Sequence, residues 1–266
     1  MSLFFDRVVK VSVGPAGAIG REWSDLRIGF SVEKTSTPEP NKAEAFIFNL
    51  SQDSIGYINQ VDNILQISAG YAESGAERIF IGDITNVETS GDGADLVCRI
   101  EAGDGEKQFR TARVNKNYSK QVGLGEVVKY LASTLGLGSV NVAGDIKLPY
   151  GISLIGTTRQ ALDHVTKSLG LEWSIQNNLL RVDLAGELNG ETAALLSPGS
   201  GLIGSPSRSV DSIKLTCLLN TRIQPRSKVV VEAKGFDGEY RVDKCRHFGD
   251  NGYDSSFYTE IEGVQL

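Results

Sequence analysis

The chain has 266 residues, of which 40% are hydrophobic and 23% are charged, values typical of a globular protein with a substantial core. A formal net charge of -6 argues against tight binding to a nucleic-acid phosphate backbone, which needs clustered lysine and arginine. The three cysteines, Cys98, Cys217 and Cys245, are spaced too widely for a disulfide framework or a zinc-binding Cys-x-x-Cys pair.

The start of the chain predicts synthesis and folding in a cytoplasm. Residues 1–7 become charged too early, and their apolar run is too short, for a signal peptide. No stretch approaches the roughly 18 apolar residues of a membrane span, so no membrane insertion is expected.

The first hundred residues alternate between apolar and polar positions with a period of two, which is typical of β-strands. The strand-like runs lie at residues 9–13, 26–32, 45–50, 65–71, 79–84 and 96–102, and residues 51–59 form a candidate short helix. Gly14, Gly17 and Gly20 lack the spacing of a dinucleotide-binding loop, so a turn is favoured there. The pattern predicts an antiparallel sandwich or barrel.

The period then changes to that of amphipathic helices. One helix is indicated by apolar residues spaced i, i+3, i+4, i+7 and i+11, namely Leu124, Val127, Val128, Leu131 and Leu135, and Gly136 ends it. A second helix follows Thr157, which forms a capping box with Gln160, and Gly170 closes it. Strands are predicted at 152–155, 171–176 and 179–184, the last two joined by a tight turn at Asn177 and Asn178.

The last third is again β-like. Residues 197–206 contain three glycines and two prolines, which exclude a helix or a central strand. Because Leu202 and Ile203 lie in this segment, we predict an ordered turn that feeds a strand, with both residues anchored on the core or on a neighbouring subunit. Further strands are predicted at 213–219, 229–231, 240–247 and 256–264.

The predicted fold class is mainly β with an α+β insert. Two antiparallel β-barrel or sandwich domains flank a small two-helix α+β module. We place the boundaries at residues 1–113 for the N-terminal β domain, 114–184 for the insert and 185–266 for the C-terminal β domain.

The sequence gives only weak evidence for catalytic or metal-binding sites. The sequence lacks a phosphate-binding loop and a nucleophile elbow. His164 and His247 are far apart, and we interpret His247, next to Asp250, as a solvated strand end rather than part of a metal site or a catalytic triad. His164 is expected to face solvent. We therefore predict no catalytic, cofactor-binding or metal-binding residues, and no enzyme activity.

Acidic residues leave one enzymatic alternative open. They cluster in or near turns: Asp83, Glu88, Asp92, Asp95, Asp104 and Glu106. A pair of carboxylates across one cleft hydrolyses glycans, whereas Asp is common in turns without any catalysis. We favour the turn interpretation.

The sequence evidence for a nucleic-acid-binding or carbohydrate-binding surface is also weak. Four basic residues lie near Phe109 and Tyr118, namely Arg110, Arg113, Lys116 and Lys120, and an ordinary surface is favoured over a nucleic-acid patch. A carbohydrate-binding sandwich needs exposed aromatic residues, but of the two tryptophans, Trp23 and Trp173, the second alternates with apolar neighbours and is assigned to the core. Cys98 and Cys217 are assigned to the core for the same reason.

An ordered series of segments resembles the baseplate hub proteins of tailed phages, chiefly those with contractile tails, and their relatives in tailocins. The segments are residues 11–15, 26–35, 39–51, 67–71, 79–84, 201–206, 218–220, 238–242, 247–250 and 259–263. One departure is Pro225-Arg226, where the family tends to have Pro-Gly.

The resemblance implies two tube-like β domains and a homotrimer at the distal end of the tail tube. The implied partners are the tail spike protein, the tail tube protein, the tape-measure protein and the baseplate wedge, with genomic DNA passing through the channel without specific binding. The implied location is the virion baseplate of a contractile injection machine, after synthesis and assembly in the host bacterial cytoplasm. The leading hypothesis is thus a structural virion protein that joins the tube to the central spike. The alternatives are a cell-wall glycan hydrolase of the tail tip and a carbohydrate-binding β-sandwich.

Overall fold

A computed structural model of the chain describes residues 6–18, 20–105, 109, 111–210, 212–252 and 256–266. The strands are β1 (Arg7–Pro15), β2 (Arg21–Trp23), β3 (Ile28–Thr35), β4 (Lys42–Phe48), β5 (Asn63–Tyr71), β6 (Gly75–Asp92), β7 (Asp95–Gly103), β8 (Arg113–Tyr118), β9 (Val122–Gly123), β10 (Ser139–Val142), β11 (Lys147–Leu148), β12 (Ile152–Thr157), β13 (Leu171–Gln176), β14 (Leu179–Leu184), β15 (Ala194–Leu196), β16 (Leu202–Arg208), β17 (Ile213–Leu218), β18 (Lys228–Val231), β19 (Gly238–Asp250) and β20 (Phe257–Gln265). The helices are α1 (Gln52–Ile58), α2 (Leu124–Thr134) and α3 (Thr158–Lys167). The prediction of a mainly β protein with a two-helix insert is confirmed.

The described residues form two compact units. One lies within Met1–Thr35, Asn41–Gly103 and Leu188–Leu266, and the other lies within Ser36–Pro40 and Asp104–Glu187. The first unit contains both β-rich ends of the chain, and the second contains the inserted module. The division into three domains stays a prediction.

One sheet runs through the whole first unit. Its strand order is β16-β17-β20-β19-β3-β4-β7-β6-β5-β1-β2, with β18 attached to β19 and β15 attached to β18. The antiparallel pairing of β3 with β19, in which Val32 lies opposite His247, joins the N-terminal strands to the C-terminal strands. We call this pairing the seam.

The strands of the first unit alternate buried and exposed residues. The buried residues form two hydrophobic cores. The N-terminal core is built from β1 and β3–β7, and it also takes Leu219 and Phe257 from the C-terminal third. Phe257 makes edge-to-face contacts with Phe30 and Tyr71, at 5.8 and 5.4 Å between ring centroids. The C-terminal core is built from β15–β20 and Ile223. The N-terminal core is therefore completed by residues that lie far along the chain.

The second unit follows its sequence signals closely. Leu124, Val127, Val128 and Leu131 are fully buried on α2, and Gly136 follows the helix with a φ of 69°. Asn177 and Asn178 form the turn between β13 and β14, and their φ values of 52° and 67° are those of a tight hairpin. These outcomes confirm the predicted helix and hairpin.

The predicted capping box of α3 is present. The Thr157 hydroxyl accepts a hydrogen bond from the Gln160 N–H at 3.2 Å, and the Gln160 side chain accepts one from the Thr157 N–H at 3.1 Å. We expect Thr157→Ala to lower the free energy of unfolding by about 1 kcal/mol, because the Gln160 N–H loses its hydrogen-bond acceptor. Urea unfolding followed by circular dichroism measures this loss. Thr157→Ser keeps the hydroxyl and is expected to retain most of the stability; an equal loss in both variants would contradict the capping role.

The glycine- and proline-rich segment is an ordered turn, as predicted. The Ser197 carbonyl accepts hydrogen bonds from the N–H groups of Ser200 and Leu202, each at 3.0 Å. Leu202 is buried in the C-terminal core, whereas Ile203 is only partly buried. β16 lies at the edge of the sheet and is irregular between Ile203 and Ser207. The edge position explains why the sheet tolerates the proline in β16.

Candidate functional site

The most distinctive surface of the first unit is one face of the sheet across β17, β20, β19, β3, β4 and β7. In each of these strands one series of alternate residues is buried in a core, and the other series, which holds most of the charged residues, lies on the opposite face. We call this opposite side the charged face, and its charged residues include Glu33, Lys42, Glu44, Arg99, Glu101, Lys214, Lys244, Arg246, Asp250, Glu260 and Glu262.

Most cations of the charged face form ion pairs with carboxylates, either directly opposite on a paired strand, as for Lys214 and Glu262, or diagonally across the strand pair, as for Arg99 and Glu44. Arg99 bonds Glu44 at 2.8 Å and Glu101 at 3.0 Å, and the hydrogen bond to Glu44 raises the pKa of Arg99. Four further pairs or contacts continue the pattern: Lys214–Glu262 at 2.7 Å, Lys244–Glu33, Arg246–Glu260 at 3.7 Å and Arg246–Ser31 at 3.0 Å. Exposed pairs of this kind contribute little stability, so their main effect is to neutralise the surface locally.

A hollow of about 340 Å³ lies in the charged face. Its floor is Gly29, which lies between Phe46 on β4 and Asp250 on β19 and leaves the space open because it has no side chain. Phe46, Phe48 and Phe248 line it.

Arginines lie against these aromatic rings. The guanidinium of Arg27 is 4.6 Å from the Phe48 ring centroid and bonds Asp250 at 2.9 Å. Arg246 lies 4.8 Å from the centroid of Phe248. The hollow is therefore apolar at its walls and ion-paired at its rim, a mixed surface suited to contact with another macromolecule rather than to bond-breaking chemistry.

The sequence pattern did not identify this hollow. The alternation of Ala45 and Ile47 with Phe46 and Phe48 was visible, but both series are apolar, so hydrophobicity alone does not assign the buried face. The structure buries Ala43, Ala45 and Ile47 and leaves both phenylalanines on the charged face. Glu44 lies on the same side of β4 as Phe46 and Phe48. Its charge was the one sequence signal that this side of the strand is not buried in a core.

His247 corrects a prediction. It was interpreted as a solvated strand end, but it is fully buried within β19, because β3 and β20 pair on either side of it. Its Nδ1 lies 2.9 Å from the Thr259 hydroxyl, and its Nε2 lies 3.8 Å from the sulfur of Cys245. Asp250 does not contribute to the described contacts of the imidazole, since its carboxylate bonds Arg27 and the Gly252 N–H.

Burial determines the ionisation of this region. Removal from water, and then the nearby charge of Lys34, lower the pKa of His247 to about 3. Burial raises the pKa values of Cys217 and Cys245 to about 12, so both thiols are protonated. Cys98 is also buried, which confirms the core assignment of Cys98 and Cys217.

The candidate acids of the first unit lie along the β6–β7 hairpin, where Asp92 and Asp95 are directly opposed at the turn. Glu88 and Asp92 lie on β6, Asp95 begins β7, and these three side chains are exposed. Asp104 belongs to the other unit, is buried, and accepts the Asn178 N–H at 2.9 Å. Glu106 lies outside the described residues. In the described part of the chain, no group of three or more His, Cys, Asp or Glu is arranged to hold a metal ion.

The remaining candidates are surface or core residues. His164 is exposed on α3, as expected. Trp173 is buried and donates to Asp163 at 2.9 Å, which confirms its core assignment. Arg113, Lys116 and Lys120 are exposed, and Arg110 lies outside the described residues. None of the helices in the described ranges has the length and apolar character that a membrane crossing requires.

Comparison with solved structures identifies the fold. A tail protein from Neisseria meningitidis superposes with a TM-score of 0.73 at 13% identity, covering 98% of this chain and 97% of that one. The 43 kDa tail protein of prophage MuSo2 from Shewanella oneidensis gives a TM-score of 0.70 at 11% identity, covering 97% and 98%. An Escherichia coli component of the type VI secretion system, described as similar to the bacteriophage T4 tail proteins gp27 and gp5, gives 0.60 at 11%, covering 96% and 76%. The fold is that of phage tail proteins and their secretion-system counterparts.

The family model for the baseplate hub gp41 matches residues 43–263, and the chain belongs to this family. It is therefore a structural baseplate hub protein, as the resemblance implied. No curated protein matches the chain in sequence.

Arg226 keeps the backbone geometry that glycine usually provides. Its φ of 68° is left-handed, and its N–H bonds the Val242 carbonyl at 2.7 Å. The departure from the Pro-Gly pattern therefore leaves the turn's conformation within the range that glycine favours.

Proposed function

We propose that this protein forms a homotrimer at the distal end of a tail tube, joins the tube to the central spike, and lines a DNA channel with its charged face. The observation that carries this proposal is the hub family match over residues 43–263, together with a tail-protein fold along nearly the whole chain. In this arrangement, the N-terminal and C-terminal cores belong to two tube-like domains.

The composition of the charged face supports a channel wall. Most of its lysines and arginines are paired with carboxylates on neighbouring strands, as in Lys214–Glu262 and Arg99–Glu44. A wall of paired charges has no excess of free cations to hold a phosphate backbone. DNA would pass such a wall without specific binding.

The ends of the sheet support assembly from several copies. Among the described strands, β16 pairs only with β17, and residues 84–92 of β6 pair only with β7. These two open edges lie at opposite ends of the strand series β16-β17-β20-β19-β3-β4-β7-β6. Head-to-tail pairing of one copy's β16 with the next copy's β6 would extend the sheet, and three copies would close it into a ring.

The partners of the ring are proposed from the family. A trimeric hub would bind the spike protein on one side and the tube protein on the other, with the tape-measure protein and the baseplate wedge as further contacts. We propose a virion location after assembly in the host cytoplasm, without a catalytic role or membrane insertion.

Particle imaging and mass photometry of the purified full-length protein test this function. We expect a three-fold ring with an open centre, which binds the spike protein encoded beside it. A monomer over a wide range of concentration, both with and without that spike protein, would contradict the proposal. Clearing of a peptidoglycan suspension that is lost in Asp92→Ala or Asp95→Ala would instead favour the tail-tip hydrolase.

A further inference from the structure

The seam contains a buried polar cluster that the hub function does not use. We call it the seam cluster: Lys34 on β3, Gln224 in the loop 220–227, Cys245 and His247 on β19, and Thr259 on β20. Lys34, His247 and Thr259 have no exposed surface, and Cys245 is 1% exposed. A lysine and a histidine buried together are unusual, since each carries a charge in water at some accessible pH.

The cluster holds the loop 220–227 against the sheet. The Lys34 ammonium donates to the Gln224 side-chain oxygen at 2.7 Å, and Cys245 Sγ donates to the Ile223 carbonyl at 3.5 Å. The Thr259 hydroxyl accepts the Asn220 N–H at 3.0 Å. Three strands are thus connected to one loop through side chains that water does not reach.

The contacts of the imidazole suit its neutral form. Nε2 lies 3.8 Å from Cys245 Sγ, which donates to the Ile223 carbonyl. The Thr259 hydroxyl already accepts the Asn220 N–H, so its own proton is available for Nδ1, which lies 2.9 Å away. A second ring proton at Nδ1 would remove the acceptor of the Thr259 hydroxyl, and it would place a positive charge near the Lys34 ammonium.

Nothing described around the ring offsets that charge. The titratable groups facing it are Lys34 from β3, Cys245 from its own strand and, beyond Cys245, Cys217 on β17. Among the described groups, the carboxylates of β3, β19 and β20, such as Glu33 and Glu260, lie on the opposite face and pair with Lys244 and Arg246. A protonated His247 therefore meets a cation and two thiols.

We propose that the seam cluster is an acid-sensitive catch: protonation of His247 releases the loop 220–227 from β3, β19 and β20 and weakens the seam. The device is independent of the proposed hub function, because it depends only on groups within one chain. It gives the first unit a conformational change that mild acid triggers.

The sign of the effect follows from linkage. The folded pKa of His247, about 3, lies below its ordinary value of 6.5. The open state therefore binds a proton that the closed state does not, and stability is complete above pH 6.5 and falls as the pH decreases toward 3. The equilibrium constant for closing the loop decreases by a factor that approaches ten for each pH unit.

Hydrogen exchange of the full-length protein tests the catch between pH 6.5 and 5, above the range in which ordinary carboxylates titrate. We expect protection factors in residues 220–227 to fall by about tenfold over this interval, while those of α2 in the other unit stay constant. His164→Gln is the matched control, since it removes the chain's only other histidine from an exposed position, and it is expected to behave as the wild type does.

His247→Gln is expected to abolish the pH dependence. Should that variant fail to fold, Lys34→Met provides the second test, with exchange followed below pH 5. Without the neighbouring cation, the closed state takes up the proton at a higher pH, so the fall in protection is expected to level off at a higher pH than in the wild type. Constant protection of residues 220–227 in the wild type would overturn the proposal. An unchanged pH dependence in His247→Gln would overturn it as well, as would a fall in Lys34→Met that levels off at the same pH as in the wild type.

Discussion

Replacement of Phe257 by alanine is expected to lower the free energy of unfolding by about 3–5 kcal/mol, the usual cost of removing a fully buried aromatic ring. Phe257 is 1% exposed and lies in the N-terminal core, although it belongs to β20. The ring contacts Phe30 and Tyr71 edge-to-face, and Arg7 lies 5.4 Å from its centroid. The cavity would open where the two ends of the chain meet.

The neighbouring Tyr258 gives a matched control. It lies on the same strand but on the charged face, where its ring packs against Phe248 at 6.0 Å between centroids. We expect Tyr258→Ala to cost about 1 kcal/mol, since a partly exposed ring loses less burial. Urea unfolding of both variants, followed by tryptophan fluorescence, provides the comparison. Equal losses in the two variants would mean that Phe257 does not complete the N-terminal core.

Local signals were sufficient to predict both helices and the β13–β14 hairpin of the second unit. The helix α3 was predicted from Thr157, Gln160 and Gly170, and the structure places a capping box and a left-handed glycine at those positions. The hairpin at Asn177 and Asn178 depends on the same kind of local chemistry. The residues that determine each of these features lie within a few positions of one another. Such a feature can therefore be predicted from the local sequence without knowledge of tertiary contacts.

The seam could not be predicted, because its pairing joins distant segments. Arg246 bonds Ser31 across 215 positions of sequence, and no turn fixes the register of β3 against β19. The burial of Lys34 and His247 is a consequence of this pairing. Lysine and histidine are residue types that usually lie at the surface. The sequence therefore predicts exposure for Lys34 and His247, and only the tertiary contacts of the seam bury them.

The hub function was inferred from an ordered series of weak segments rather than from a catalytic or binding motif. The hollow and the paired charges of the charged face are properties of strand register, since Gly29, Phe46 and Asp250 meet only when β3 pairs on both sides. A period-two pattern predicts that two faces exist. It does not predict which side chains become neighbours on each of them.

Replacement of Thr89 by proline is expected to prevent ring assembly while each chain stays folded. The two-residue turn at Gly93 and Ala94 makes the Asp92–Asp95 pair hydrogen-bonded, and bonded and non-bonded pairs alternate from there along β6 and β7. The pair of Thr89 with Cys98 is then non-bonded, so the Thr89 N–H points to the open edge of β6. A proline there removes a donor for the next copy and places its ring against that copy's β16.

The effect on assembly is expected to be large and specific. The proline removes one inter-strand hydrogen bond, and its ring hinders the approach of the next strand, so the concentration for half-assembly should rise by about tenfold or more in mass photometry. Thr89→Ala keeps the N–H and is expected to assemble as the wild type does. Circular dichroism of Thr89→Pro should match that of the wild-type chain, because β6 and β7 keep their own hydrogen bonds. Rings that persist in Thr89→Pro would show that copies associate through a surface other than the open edges of β6 and β16.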